Sequence, residues 1–354
     1  MSLSQLPCRI AILAATTAAL AVPAVFSATS AGVPAVSGPA GSTHLDVSDL
    51  ATGAPPALAW VERRAGSAVI HGARGTRTPV ASSVRELAPM GSGFIVQTGG
   101  SRPPRTRWIA ADGTPGPRTW LTGYGLGVSA KGKAVAFAGK NGRVWSVDQE
   151  GDRVFRFSRV PIEGKGRAVT VLGEDCSERT SPAGCAIYVN GHRGFFTTSH
   201  GSVDRAPRMR LVSTGRGRYL GGITSISDTG TCSVMLRGWR PVWRTCANRV
   251  SVISSDNRHV VGLPAYGDGF GPTALDLLRT RDGSIAHSFT SSRRGTSATY
   301  FDEAWEDAEH LLVVTHQEGE WAIVRLGLDG SMEYAVPPRP GGPDLASPFE
   351  LQSR

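Results

Sequence analysis

A short phrase recurs along the chain: an apolar strand, a turn of Asp or Asn with Gly, and a second apolar strand. It reads RWIAADGTPGPRTW at 107–120, WSVDQEGDRVFRF at 145–157, LDLLRTRDGSIAHSF at 275–289 and VRLGLDGSMEYAV at 324–336. The turn glycines are Gly113, Gly151, Gly283 and Gly330, and weaker units at Gly75, Gly191 and Gly238 fill the gaps. Glycine supplies the positive φ that such hairpin turns demand. A second phrase of the same kind precedes several of these: GVSAKGKAVAFAG at 127–139, SISDTGTCSVML at 225–236 and VISSDNRHVVGL at 252–263.

Two hairpins per period make four strands in about 42 residues, the signature of one propeller blade. No stretch of a dozen residues shows a convincing 3.6-residue period, so the chain is expected to be all β. A single β-propeller over 57–338 is expected, with seven four-stranded blades and six or eight as the alternatives. Two β-sandwiches are the rival fold, but they leave the period unexplained. Gly 44 and Pro 23 in 354 residues exceed the average share without a collagen repeat, while 40% hydrophobic residues exclude wholesale disorder.

Both ends differ from this pattern. Residues 1–31 read as a signal peptide: Arg9, an apolar stretch from Ile10 to Val25, then the small residues of VFSATSA, with cleavage after Ser27 or Ala31. The apolar run falls short of a membrane span and contains Pro23. A secreted, extracellular protein follows. Residues 32–56 read as a flexible Gly/Pro/Ala-rich lead-in, and 339–354 as a C-terminal tail. Four cysteines remain after export, an even number that suggests disulfides in an oxidising compartment. Cys176 and Cys185 flank one polar loop, and Cys232 and Cys246 flank one hairpin, so local pairing is expected. No C-x-x-C and no nearby His accompany them, which argues against zinc.

The phrases VSAKGKAVAFAGKNGRVWSVDQEG and ISSDNRHVVGLPAYGDGFGPTALDLLRTRDG resemble blades of secreted bacterial WD40-like and TolB-like propellers. WRTCANRVSVISSDNRHVVG is similar to exported actinobacterial propellers of this type. The resemblance covers about 57–336. No Gly-His and Trp-Asp pair marks a blade end, unlike the eukaryotic WD40 pattern. The resemblance implies a fold and a location, not a chemistry.

Motifs that carry catalysis are missing from the sequence. The nearest approach to G-x-S-x-G is Gly127-Val128-Ser129-Ala130-Lys131, inside a blade phrase, where Ser129 reads as a strand residue. Phosphate-cradling, dinucleotide-binding, H-E-x-x-H and calcium-loop patterns are absent too. The formal charge is +9, carried almost wholly by arginines scattered along the chain rather than clustered as nucleic-acid proteins place them.

Two segments stand out. TYFDEAWEDAEHLL (299–312) is acidic within a basic protein, and LPAYGDGFGPTAL (263–275) is a long insertion on glycine hinges. If they share a face, Tyr266, Asp268, Phe270, Asp302, Glu303 and Trp305 form an aromatic-acidic pocket for a sugar or a basic peptide. The 302–309 run could alternatively bind calcium, or be a solvated turn over a packed Trp305. No metal ligands, cofactor or catalytic residues are assigned. The expected function is a monomeric, non-catalytic binding or scaffold module for a protein or an anionic or carbohydrate cell-envelope polymer, with no nucleic-acid partner. The alternative is an extracellular hydrolase or lyase working in the central channel.

Overall fold

The computed structural model describes residues 41–353, except 74, 100–103, 149–152, 163, 165, 180–183, 268–270, 292–297 and 343–346. The signal-peptide segment therefore lies outside the described residues, as do Gly151, Asp268 and Phe270. The first strand among the described residues is β1 (Ser42–His44). The first blade holds β2 (Trp60–Arg64), β3 (Ser67–His71) and β4 (Arg77–Val80), and the second β5 (Val84–Met90), β6 (Gly93–Thr98), β7 (Arg105–Ile109) and β8 (Pro115–Leu121). The third contains β9 (Gly127–Val128), β10 (Ala134–Ala138), β11 (Val144–Asp148) and β12 (Arg153–Arg156). The fourth contains β13 (Arg167–Leu172), β14 (Ala186–Asn190), β15 (Gly194–Thr198) and β16 (Val203–Arg205). The fifth is β17 (Leu211–Arg216), β18 (Tyr219–Ser227), β19 (Gly230–Arg237) and β20 (Arg240–Thr245). The sixth is β21 (Asn248–Ile253), β22 (His259–Pro264), β23 (Ala274–Arg279) and β24 (Ile285–Thr290). The seventh is β25 (Thr299–Trp305), β26 (His310–Gln317), β27 (Glu320–Gly327) and β28 (Met332–Pro340), and β29 (Phe349–Leu351) ends the chain.

Apart from β1, these strands form seven antiparallel sheets arranged as a ring, a seven-bladed β-propeller. Seven hydrophobic clusters hold it together, one at each junction between neighbouring blades. Middle strands are covered on both faces by adjacent blades, which is why GFIVQT of β6 and AVAFA of β10 are buried at every position. Outer strands meet water on one side and turn polar: PGPRTWL of β8 and RPVWRT of β20 are mostly exposed, and their prolines blunt the open edges.

Closure links the two ends of the chain. Residues 349–351, assigned above to a tail, are β29, the innermost strand of the first blade, pairing Trp60 with Leu351 and Glu62 with Phe349. The described part of the 32–56 segment is also engaged. β1 adds a parallel fifth strand outside β24, and Leu45 and Val47 are buried between the sixth and seventh blades. Arg325, paired with Glu306 and Glu333, also donates to the carbonyls of Ala54 and Pro55 and so fastens the rest of that segment.

The repeat is in phase at most blades and slips at two. Gly75, Gly113, Gly238, Gly283 and Gly330 each lie at the turn between third and fourth strands with positive φ. Gly191 lies instead at the second turn of its blade, whose outer turn uses Gly201. SISDTGTCSVML spans β18 and β19, a middle hairpin rather than an inner one. Both expected disulfides are present, Cys176–Cys185 and Cys232–Cys246. No helix among the described residues is long and apolar enough to cross a membrane.

Candidate binding site in the central channel

The first strands β5, β9, β13, β17, β21, β25 and β29 face the axis, and all but β9, together with Gly125 and Leu126 just ahead of it, line a cavity of about 490 Å³. Five of them, β5, β13, β17, β21 and β25, carry a register shift. A bulge breaks strict alternation and re-aims side chains. In β25 the shift falls between Tyr300 and Asp302. Tyr300, Ala304 and Trp305 are buried between blades, while the adjacent Asp302 and Glu303 both line the channel. The shift in β5 falls between Val84 and Glu86, and Glu86 joins the same lining with Glu350 of β29.

Asp302 accepts hydrogen bonds from the Leu351 amide at 2.7 Å and the Glu303 amide at 3.0 Å. Burial, with Glu350 and Glu303 nearby, holds its carboxyl well above the usual range. Burial raises Glu303 as well, against a hydrogen bond from Ser251 and the charge of Arg249. Glu350 is pushed up to about 7, chiefly by burial, although it pairs with Arg63. Arg63 also donates to the carbonyls of Val84 at 2.9 Å and Ser347 at 2.8 Å. Arg167 stands 3.9 Å from Glu86 with 67% of its side chain exposed.

The two ends of the channel differ. At the end where the inner strands begin, Arg63, Arg85, Tyr124, Arg167 and Phe301 surround a vestibule of about 650 Å³ that reaches down to Asp302 and Glu350. Tyr124 and Phe301 are 39% and 43% exposed. At the opposite end, Ser129, Lys131, Arg216 and Ser353 frame a smaller recess of about 290 Å³. Ser129 lies just past β9. Its hydroxyl donates to Glu174 at 2.7 Å and accepts from the Ala134 amide, so it braces a turn.

The pocket expected from sequence is only partly assembled. Asp302 and Glu303 reach the channel. Trp305 is 1% exposed, its indole N–H donating to the Val252 carbonyl at 3.1 Å, and it belongs to the core. Tyr266 is 62% exposed and does not line the channel. Its loop nonetheless arrives at the right place, since Pro272 lines the cavity and accepts from the Tyr300 amide at 3.0 Å. The acidic run 302–309 divides. Glu306 pairs with Arg325, and Asp307 accepts from the Glu309 and His310 amides of its own turn. Among the described residues no three His, Cys, Asp or Glu side chains converge as metal ligands.

Glu86, Arg167, Arg249, Phe301 and Glu350 were not anticipated. For the four charged residues the signal is a charge within the first strand of a blade, as in VRELAPM, NRVSVI and FEL, and for Phe301 it is an exposed aromatic beside such charges in TYFDEAW.

The raised carboxyls have a consequence for stability. Folded Glu350 keeps its proton up to about pH 7, whereas unfolded Glu350 loses it near 4.5. The folded state therefore binds more protons in that window, and stability from this group is lost as pH rises through it. Glu350→Gln should be close to the parent at pH 5 and gain on it progressively up to pH 7.5. Urea unfolding at both pH values checks this, and a pH-independent difference would refute it.

No known protein family matches the chain, and no curated protein is similar to it in sequence. Solved structures are similar in fold. The Dos1 propeller aligns with a TM-score of 0.50 at 10% identity, over 80% of this chain and 78% of its own. The β-propeller domain of Cps50 (Swd1) from Myceliophteria thermophila gives 0.47 at 9%, over 74% and 90%. BamB from Moraxella catarrhalis gives 0.44 at 12%, over 78% of each. At such identities the likeness shows the fold alone.

Proposed function

We propose that this propeller is an exported, non-catalytic binding module, and that a segment of a partner protein or cell-envelope polymer enters the channel at the Arg63–Phe301 end. The observation that carries this reading is the vestibule itself. Exposed Tyr124 and Phe301 stand beside exposed Arg167 over protected carboxylates, on a scaffold fixed by seven packed junctions. Aromatic and arginine side chains in a recess are the composition of binding hot spots. Export is supported by the apolar stretch 10–25 and by two disulfides, which persist in oxidising compartments.

One observation favours a second reading. Asp302, Glu303 and Glu350 line one cavity, and a carboxyl kept protonated near neutrality is what a general acid in glycoside hydrolysis needs. A thermal-shift screen of residues 32–354 against oligosaccharides, acidic and basic peptides and wall polymers separates the two. Binding is expected to raise the melting temperature of the parent but not of Phe301→Ala, without turnover of the bound compound. Reducing ends released by the parent and not by Asp302→Asn or Glu350→Gln would establish the hydrolase instead.

A further inference from the structure

The far end of the fifth and sixth blades carries a second surface. Four turns meet there. The Gly238 amide donates to the Arg218 carbonyl at 2.9 Å, and Gly217 lies against the Asn257 side chain. The Thr280 amide donates to the Arg258 carbonyl at 2.9 Å, and the Trp243 indole donates to the Thr280 carbonyl at 2.8 Å. Arg218, Arg237, Arg240, Arg258 and Arg281 are exposed along this surface. Among the described residues, Arg258 pairs with Asp256 and Arg281 with Asp282, whereas Arg218, Arg237 and Arg240 have no carboxylate partner.

Trp239 sits among them at the tip of the β19–β20 hairpin. Gly238 and Trp239 have φ of 55° and 67°, the two-residue turn with both residues left-handed. Glycine or asparagine suits the second position, and a bulky residue there is an outlier. Turn chemistry does not explain the tryptophan, and strain of this kind marks functional positions. Its ring is also held in place. It packs on Phe196 with ring centroids 5.5 Å apart and remains 53% exposed.

We propose that Trp239, with Arg218, Arg237 and Arg240, binds an acidic polysaccharide, the indole stacking on a sugar ring and the guanidiniums taking its anionic groups. The pairing follows from shape and charge. A ring packed on Phe196 is a platform with an electron-rich face, suited to the C–H face of a sugar. Guanidinium forks match carboxylate, sulfate and phosphate groups. Lipid insertion would need a projecting apolar cluster, but Trp239 lies between Arg237-Gly238 and Arg240-Pro241, with Val242 the one exposed aliphatic side chain beside them in sequence. Single-stranded nucleic acid is held by successive aromatic platforms, and among the described residues of this surface Trp239 alone is an exposed aromatic, Trp243 and Tyr219 being half-buried. The site is remote from the vestibule, so it stands or falls independently of the channel.

The test is titration of the purified protein with polygalacturonate, using neutral dextran, oligothymidylate and phosphatidylglycerol vesicles as comparisons. Polygalacturonate should bind and dextran should not, with affinity falling as salt screens the arginines. Trp239→Gly suits the left-handed turn and keeps the hairpin, yet should weaken binding roughly tenfold or more, as truncation of an aromatic hot spot does. Arg237→Gln/Arg240→Gln should weaken it and flatten the salt dependence. Absence of polygalacturonate binding at low salt, equal binding by Trp239→Gly, or tighter binding of oligothymidylate or vesicles would overturn the proposal.

Discussion

A chain truncated after Pro348 is expected to lose its cooperative fold. The deletion removes three ladder partners of β2 and the buried side chains of Phe349 and Leu351, which are 1% and 3% exposed at the junction of the first and seventh blades. It also takes Gln352, whose amide and side chain clamp both backbone groups of Ala59. Arg63 loses Glu350, and Asp302 loses the Leu351 amide. Each buried apolar side chain contributes about 1.5–3 kcal/mol and each hydrogen bond about 1 kcal/mol. The combined loss, roughly 5–10 kcal/mol, rivals the whole stability of a domain. Urea unfolding followed by circular dichroism should show a broad, early transition. A sharp transition at the parent's midpoint would mean that the ring does not depend on β29.

The period of the hairpins made the architecture legible, and its errors have one physical source. Inner, middle and outer hairpins draw on the same turn residues, chiefly Gly, Asp and Asn, so Gly191 and SISDTG cannot be told from outer or inner turns by residue type. Only their neighbours in the ring decide, as when β14 pairs with β15 across Gly191. Closure was illegible for a different reason. FEL is a three-residue strand among prolines, glycines and polar residues, and its assignment depends on β2, nearly three hundred residues away. The site was half legible. Asp302 and Glu303 stood out because acid is rare in this chain, but Glu86, Arg249 and Glu350 are single charges in ordinary strands. They matter because the ring brings seven first strands to one axis.

Trp305 decides between two readings of its segment, and Trp305→Ala should cost about 3–5 kcal/mol of stability, the usual range for emptying a buried aromatic site. The sequence allowed either a binding pocket that includes the tryptophan or a turn with the tryptophan packed beneath, and the ring has it packed. The bulge in β25 turns its acidic neighbours inward to the channel, and the tryptophan enters the junction of the sixth and seventh blades beside Leu311 and Val313. Removing it would also strip the Val252 carbonyl of its donor, a further penalty for a polar group left buried. Phe301 is four residues away, 43% exposed and in contact with Trp321 at 4.6 Å, so Phe301→Ala should change stability by about 1 kcal/mol or less. The two substitutions thus separate holding the ring from using its mouth. Urea unfolding of both variants checks the assignment. A Trp305→Ala protein as stable as the parent would return that residue to the surface. A Phe301→Ala protein destabilised as much as Trp305→Ala is expected to be would make the vestibule part of the core.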